Sequence, residues 1–211
     1  MPPMAGYRIQ PPLFFRWLYP SAYWRAASSV PTVYLTFDDG PVPEVTPWVL
    51  DVLKSAGVKA SFFCLGRNVE QYPALFQRIR NEGHSIGNHT YSHLKSSKSS
   101  KLNYLSDIEK ADQYISSTFF RPPYGNLWPH WATSLRKKYK LVFWDVLSED
   151  YDTSKTPDDC FNNVMRYTRN GSVIVFHDSL KAKDRLTPIL PQIIQALKHE
   201  GYAFKTLADL T

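Results

Sequence analysis

After about residue 30, short apolar runs of the chain alternate with longer amphipathic patterns. The apolar runs predict seven β-strands, at residues 33–37, 60–65, 85–87, 119–120, 141–146, 173–176 and 203–204. Apolar residues at helical spacing lie between these strands, and three of the patterns end at Gly57, Gly83 and Gly201. Strands that alternate with helices over short connections pair in parallel. We therefore predict an α/β fold, a single-domain distorted (β/α) barrel of about seven parallel strands.

The 211 residues suffice for one sizeable hydrophobic core and do not clearly make two. Residues 31–211 are predicted to form the barrel domain, and residues 1–30 an aromatic and basic segment that packs on it. Arg16 and several prolines interrupt the apolar residues near the N-terminus, so no signal peptide is recognised, and no transmembrane segment is predicted. A cytoplasmic location is favoured, with peripheral membrane association or export as alternatives. A monomer is the default expectation.

The chain carries a net charge of +6, and part of the excess lies in a serine-rich loop that contains Lys95, Lys98 and Lys101. Such a loop either attracts an anionic polymer, such as nucleic acid or an acidic cell wall, or is a solvated flexible loop. The solvated loop is favoured. Because no nucleic-acid-binding motif accompanies the charge, no nucleic-acid partner is expected. Cys64 and Cys160 are not paired by their spacing, so no disulfide is predicted.

Two adjacent carboxylates, Asp38 and Asp39, follow the first predicted strand and precede the turn-forming pair Gly40 and Pro41. In α/β folds, the carboxyl ends of the strands carry the functional side chains. Two neighbouring negative charges are costly unless a metal ion or a proton compensates them. The pair therefore suggests one carboxylate that binds a metal and one that acts as a base. The alternative is a turn in which both carboxylates are solvated or cap the next helix.

Two histidines, His89 and His93, lie four residues apart after the third predicted strand. On a helical turn, this spacing puts both imidazoles on one face, where they can share an ion. Two histidines and one carboxylate leave coordination positions open for water and substrate, which is typical of a catalytic metal site. Together with the aspartate pair, this pattern favours a metal site over surface or capping histidines. His84 precedes the strand and is predicted to be structural.

Polar residues also follow three later apolar runs. They are Arg121 after residues 119–120, Asp145 and Asp150 after residues 141–144, and His177 with Asp178 after residues 173–176. Because the carboxyl ends of parallel strands meet at one edge of the sheet, we expect these side chains to converge with the aspartate pair and the two histidines.

Four segments of the chain, 36–41, 89–93, 121–124 and 175–178, resemble in order and spacing the motifs of the polysaccharide deacetylases. This family is the NodB-homology group, also called carbohydrate esterase family four. The resemblance extends over about residues 31–206. It implies a distorted (β/α) barrel whose substrate is an N-acetylated glycan. The implied reaction is metal-dependent hydrolysis of N-acetyl groups on amino-sugar units, in peptidoglycan or a chitin-like oligosaccharide.

The resemblance implies that Asp39, His89 and His93 hold a divalent metal. Zinc is common in similar enzymes, and cobalt, nickel, manganese or iron are alternatives for this ligand set. Such an ion supplies a Lewis acid for the acetamide carbonyl and lowers the pKa of a water molecule toward about 7. The backbone N–H of Tyr124 would help to stabilise the tetrahedral oxyanion.

The resemblance also implies roles for the proton-transfer groups. Asp38 would be the general base, and Arg121 would keep it ionised and oriented. His177 would be the general acid that protonates the departing amine, and Asp150 would orient His177 and keep it charged. The plainer alternatives are a surface ion bridge for Arg121 and a buried structural role for His177.

Some positions depart from the family pattern. In the motif Asp-x-x-Asp-Trp, Leu147 replaces the first aspartate and Tyr151 replaces the tryptophan, so that Asp150 is the one matching carboxylate. After Tyr124, Gly125 stands where an arginine or comparable residue is usual. These changes affect the wall of the substrate pocket and a substrate contact. We expect an active hydrolase whose substrate preference is open.

Three aromatic residues either line an apolar pocket for the acetyl methyl group or belong to the core: Tyr91, Trp128 and Trp144. For Trp144 the core is favoured. Two alternatives to a glycan deacetylase stay open. One is a catalytically idle carbohydrate-binding protein, which would usually have lost Asp38, a metal ligand or His177. The other is a deacetylase of a small non-polymeric amide, which the lack of an accessory carbohydrate-binding domain favours slightly.

Overall fold

The computed structural model describes residues 9–26 and 28–210. Its sheet is built around a central strand, β1, whose seven residues are all buried. The strands of the described chain are β1 (Thr32–Asp38), β2 (Ser61–Cys64), β3 (Ser85–Asn88), β4 (Phe119–Phe120), β5 (Lys140–Leu141), β6 (Val146–Leu147), β7 (Val173–His177) and β8 (Ala203–Phe204). They run parallel in the order β5-β4-β3-β2-β1-β7-β6, with β8 paired to the start of β1.

Amphipathic helices connect these strands and cover the sheet. They are α1 (Leu13–Leu18), α2 (Thr46–Ser55), α3 (Gly66–Gln71), α4 (Pro73–Asn81), α5 (Lys101–Ile115), α6 (Pro129–Leu135), α7 (Pro157–Tyr167) and α8 (Lys183–His199). In α8, Leu186, Ile189, Leu190 and Ile193 are buried at the three- and four-residue spacing of one helix face. The largest apolar cluster joins this face to the side chains of β1, β2 and β7. These features confirm the predicted single-domain distorted (β/α) barrel of parallel strands.

The predicted fifth strand, residues 141–146, is divided into β5 and β6. Between them, the carbonyl oxygens of Val142 and Phe143 accept hydrogen bonds from the Arg121 guanidinium, at 3.3 and 2.9 Å. This side chain therefore takes carbonyl groups that a neighbouring strand would otherwise pair. Because β5 pairs with β4 and β6 pairs with β7, at the two edges of the sheet, the described residues contain eight short strands instead of seven.

The residues before β1 contact the barrel through aromatic rings. Trp24 stacks on Phe143 with 4.3 Å between ring centroids, and Tyr19 lies 4.9 Å from the same ring. By contrast, α1 buries none of its residues, and Trp17 is 81% exposed. Residues 1–8 of the predicted N-terminal segment lie outside the described residues, so its boundary stays a prediction. Within the described part of the chain, no helix is long and apolar enough to cross a membrane.

Candidate active site

The strand registers bring the predicted site residues to one end of the sheet. Asp38 ends β1 and lies level with His177 on β7. On the other side of β1, Asp38 is level with Phe63, and Asn88, the residue before His89, ends the next strand but one. Parallel pairing therefore places side chains from distant parts of the chain at the same edge, as the order of the apolar runs predicts.

Three metal-ligating side chains converge there. Ligand atoms of Asp39, His89 and His93 all lie within 4.8 Å of one another. Asp39 Oδ1 is 3.2 Å from His93 Nε2 and 3.8 Å from His89 Nε2. Asp39 Oδ1 is buried, and no described residue gives it a hydrogen bond of good geometry. A buried carboxylate oxygen that faces two imidazole nitrogens is a donor set that fits a divalent cation.

The protonation state of His89 suits metal binding. His89 Nδ1 lies 2.7 Å from the carbonyl oxygen of Arg121, and because a carbonyl only accepts, Nδ1 carries the hydrogen and Nε2 is left with a lone pair. Burial lowers the pKa of His89 to about 4, so the ring is neutral at pH 7. Burial alone would raise the pKa of Asp39, but the close approach of His93 and the charge of His177 outweigh it and lower that pKa.

His89 and His93 meet, as expected from their spacing, but residues 89–93 do not form a helical turn. The segment is a loop in which Thr90 (φ 70°) and His93 (φ 63°) adopt left-handed backbone conformations. The Asn88 side chain accepts from the Thr90 N–H at 2.7 Å, and the Asp107 carboxylate accepts from the backbone further along the loop. These side-chain contacts stabilise a conformation that the spacing alone does not predict.

The other aspartate of the pair, Asp38, accepts a hydrogen bond from Arg121 at one of its two carboxylate oxygens. Arg121 Nη1 donates to Asp38 Oδ1 at 2.6 Å, while Asp38 Oδ2 lies 4.0 Å from His89 Nε2. Arg121 is completely buried, and its Nη1 also donates to Thr36 Oγ1 at 2.8 Å. Arg121 therefore does not form a surface ion bridge. Its guanidinium neutralises Asp38 and holds it in one orientation, with one carboxylate oxygen directed to the histidines.

His177 and Asp150 form a second pair. Asp150 Oδ1 is 2.7 Å from His177 Nδ1, and Asp150 Oδ2 accepts from the His177 backbone N–H at 2.8 Å. Burial alone would lower the pKa of His177, but the charge and hydrogen bond of Asp150 raise it to about 9. Arg185 Nε donates to the Asp150 carbonyl at 2.6 Å and so stabilises the backbone that carries the Asp150 carboxylate. An imidazolium with its Nε2 hydrogen free is suited to donate a proton.

One buried residue of the site, Asp178, was not predicted to have a role of its own. Its carboxylate accepts from the Gly40 N–H at 3.1 Å and from Thr46 Oγ1 at 2.6 Å. A Cβ on Gly40 would lie 2.0 Å from this carboxylate, so only glycine fits there. Burial raises the pKa of Asp178 to about 8. Asp178 therefore positions the turn that carries the aspartate pair, through contacts between residues too distant in sequence to be read as a motif.

These groups open into a cleft of about 550 Å³. Its lining includes Asp38, Asp39, His89, His93, Lys95, Pro122, Tyr124, Gly125, Trp144, Leu147, Tyr151, Val175, His177 and Lys181. Trp144 lines the cleft and also packs against an apolar cluster of the core, so both interpretations of this residue apply in part. Lys95 also lines the cleft and is not simply part of a solvated loop. Tyr91 and Trp128 are not among the lining residues.

Two other residues have structural roles. Asp145, which was expected to join the site, instead accepts hydrogen bonds from Arg16, Arg169 and Ser172 at the opposite end of β7. His84 is buried, and its Nδ1 accepts from the Ala60 N–H at 3.1 Å, which confirms the predicted structural role.

The fold and the site together define a barrel hydrolase with a centre of two histidines and one carboxylate. The family model for polysaccharide deacetylase matches residues 25–143, and the chain belongs to this family. A peptidoglycan-N-acetylglucosamine deacetylase of Bacillus cereus is 38% identical over 93% of this chain and 74% of its own length. A chitooligosaccharide deacetylase of Azorhizobium caulinodans is 29% identical over 87% of this chain and 96% of its own length.

A solved structure with the same fold belongs to a deacetylase as well. The crystal structure of a peptidoglycan N-acetylglucosamine deacetylase, in complex with 4-naphthalen-1-yl-N-oxidanyl-benzamide, superposes with a TM-score of 0.83 at 38% identity. The match covers 93% of this chain and 95% of that one. The similarity therefore extends beyond residue 143, where the match to the family model ends.

Proposed function

We propose that this protein is a metal-dependent hydrolase that removes N-acetyl groups from amino-sugar units of a glycan. The observation that carries the proposal is the position of Asp38. One oxygen of its carboxylate is bound by the buried Arg121, and the other faces the group formed by Asp39, His89 and His93. The family and the named relatives support the same reaction class.

Asp39, His89 and His93 would hold the divalent ion, with zinc as the proposed metal. When bound, the ion supplies a Lewis acid that activates water and polarises the amide carbonyl. A metal ligand set needs its imidazoles neutral and its carboxylate ionised, and the pKa shifts of His89 and Asp39 favour these states at those two residues.

The residues around this group would divide the proton transfers between them. Asp38 would accept a proton from the attacking water through the oxygen that Arg121 does not bind. The backbone N–H of Tyr124 would donate to the oxyanion that develops on the acetyl carbonyl. His177, held as an imidazolium by Asp150, would then give its Nε2 proton to the departing amine. Each proton transfer is worth about 10²–10⁴ in rate.

The two alternatives predict different results. An idle carbohydrate-binding protein on this fold has no need of the complete set of base, acid and ligands that the cleft retains. A deacetylase of a small amide would require acetate release from a monomeric substrate in preference to an oligomer. No observation in the cleft favours either alternative over the glycan deacetylase.

Acetate release tests the proposal. The substrates are N-acetylglucosamine oligomers and peptidoglycan, and the samples are metal-stripped protein, zinc-restored protein and the zinc-loaded Asp38→Asn variant. We expect release from the zinc-restored wild type, none from the metal-stripped protein, and a rate about 10²–10⁴-fold lower in the variant. Equal release with and without metal would contradict the metal requirement. No release from either substrate, with zinc demonstrably bound, would reject the glycan assignment.

A further inference from the structure

A lysine and a tyrosine form one end of the cleft, beside His93. Lys95 Nζ lies 5.5 Å from the centroid of the Tyr124 ring, and that ring is 4.5 Å from the imidazole of His93. Tyr124 is 62% exposed, so one part of its ring is free to contact a ligand. Tyr124 therefore contacts both the lysine and the histidine.

The other end of the cleft repeats this order with different residues. Lys181 Nζ lies 5.7 Å from the centroid of the Tyr151 ring, and that ring meets the imidazole of His177 edge-on at 4.9 Å. Tyr151 is the residue that replaces the tryptophan of the family motif. Lys95 and Tyr124 follow β3 and β4, whereas Lys181 and Tyr151 follow β7 and β6, so the two groups lie on opposite sides of β1 and line the same cleft.

The charge of the two lysines is not neutralised by the protein. Among the described residues, no carboxylate forms an ion pair with Lys95 or Lys181. The two acidic residues that line the cleft have other neighbours, since Asp38 pairs with Arg121 and Asp39 faces His89 and His93. The mouth of the cleft therefore carries a positive charge at each end, which attracts an anionic ligand and disfavours a cationic one.

We propose that Lys95 and Lys181 determine specificity for an anionic glycan, in which the sugars on both sides of the reacting N-acetylated sugar carry a carboxylate. The proposal rests on the proposed deacetylase function. An aromatic ring stacks on the apolar face of a sugar, while an ammonium beside it pairs with a carboxylate on that sugar. In an alternating polymer whose every second sugar carries a lactyl carboxylate, both neighbours are acidic only when the reacting sugar is the unsubstituted one.

A pair of substrates that differ only in charge tests this proposal. One is an oligosaccharide of alternating N-acetylglucosamine and lactyl-substituted sugars with free carboxylates, and the other is its methyl ester. With the zinc-loaded full chain, we expect kcat/KM for acetate release to be at least about fivefold higher for the acid. Lys95→Met and Lys181→Met should each lower this acid-to-ester ratio about threefold, mainly through KM, and the double variant should bring it near one.

Matched controls separate this effect from a general loss of charge. Lys98 and Lys183 are exposed lysines on the same two segments but outside the cleft lining. Lys98→Met and Lys183→Met should keep the acid-to-ester ratio of the wild type. Because Lys95 is close to His93 in sequence, zinc content is measured for each variant. An equal fall of the ratio in the control variants would overturn the proposal.

Two further results would also overturn it: a ratio near one in the wild type, or a double variant that retains the wild-type ratio. Absence of acetate from both oligosaccharides would reject the deacetylase function instead. In that case, isothermal titration calorimetry of the zinc-loaded protein with the acid and the ester decides the role of the lysines. Tighter binding of the acid that the double variant loses supports it, and equal affinities overturn it.

Discussion

Two buried aspartates at opposite ends of the barrel, Asp38 and Asp145, are both paired with arginine. They differ in how many of their carboxylate oxygens accept hydrogen bonds from the protein. Asp38 gives one oxygen to Arg121 at 2.6 Å, and its other oxygen faces the cleft. At Asp145 both oxygens are occupied. Oδ1 accepts from Arg16 and Arg169 at 2.8 and 2.7 Å, and Oδ2 accepts from Arg169 and Ser172 at 3.0 and 2.8 Å.

The arginines differ as well. Arg121 is fully buried and its charge is compensated by Asp38, whereas the side chains of Arg16 and Arg169 are 24% and 46% exposed. Asp145 therefore connects the segment before β1, through Arg16, with the start of β7, through Arg169 and Ser172. Both arginine side chains are partly exposed to solvent. An aspartate with every lone pair occupied has a structural role, and one with an unoccupied oxygen directed into a cleft can accept a proton.

The largest effect is expected for Asp38→Asn. The amide retains the shape of the carboxylate but cannot act as a base, so kcat should fall by about 10²–10⁴-fold. The variant also leaves the buried Arg121 charge uncompensated, and we expect a loss of about 3–5 kcal/mol in the free energy of unfolding. Acetate release and urea denaturation measure the two effects. A variant with wild-type kcat would show that the unoccupied oxygen of Asp38 has no catalytic use.

The next largest effect is expected for Asp145→Asn, and it should be confined to stability. Removing the charge weakens the hydrogen bonds to Arg16 and Arg169, but these side chains are partly exposed and are rehydrated. We expect a loss of about 1–3 kcal/mol in the free energy of unfolding, with kcat per folded molecule within about twofold of the wild type. A fall in kcat like that of Asp38→Asn would remove the distinction between the two pairs.

The sequence predicts those features that depend on local pattern. Strand ends with polar residues correctly locate Asp38, Asp39, His89, Arg121 and His177 at one edge of the sheet. Parallel pairing is sufficient for this prediction, because it needs only the order of the strands and the side at which each of them ends.

Features that depend on contacts between distant residues could not be predicted in this way. Asp145 also follows an apolar run, yet its partners Arg16 and Ser172 place it at the other end of the barrel. The Asp178 contact with Gly40 and the position of Lys95 over Tyr124 likewise require the folded chain. The left-handed loop at residues 89–93 differs from the predicted turn because its conformation is set by Asn88 and by α5.

A third carboxylate, Asp150, extends the comparison. Both of its oxygens form hydrogen bonds, as those of Asp145 do, but the partner is His177, a residue of the cleft. Its contacts raise the pKa of His177 to about 9 from an ordinary value of 6.5. A raised folded-state pKa stabilises the protein below pH 6.5, and this contribution is lost as the pH rises toward 9. We expect the metal-free wild type to lose stability across this range, and the Asp150→Asn variant to lose less.

Titration of His177 by NMR in the metal-free protein measures the effect of Asp150 on the His177 pKa directly. The His177 pKa should fall in Asp150→Asn, because the remaining effect of burial lowers it. In the zinc-loaded enzyme, the alkaline limb of the kcat profile should move to lower pH in the variant. An unchanged His177 pKa would mean that Asp150 orients the ring without holding its charge.

The smallest effects concern the two hydroxyl groups that complete the aspartate–arginine pairs. Thr36 Oγ1 accepts from Arg121 and donates to the Ile174 carbonyl, each at 2.8 Å. Ser172 Oγ donates to Asp145 at 2.8 Å and accepts from the Arg169 N–H at 3.0 Å. Because both groups are buried and both donate and accept, Thr36→Val and Ser172→Ala should each lower the free energy of unfolding by about 1–2 kcal/mol.

The two variants should nevertheless differ in activity. In Thr36→Val the buried Arg121 loses one acceptor, so it holds Asp38 less firmly, and kcat should fall while KM is unchanged. In Ser172→Ala the altered contacts lie at the opposite end of β7, and kcat should equal that of the wild type. Steady-state kinetics beside thermal unfolding measures both quantities on the same samples. Equal loss of stability with equal kcat would show that the orientation of Asp38 does not depend on the hydroxyl of Thr36.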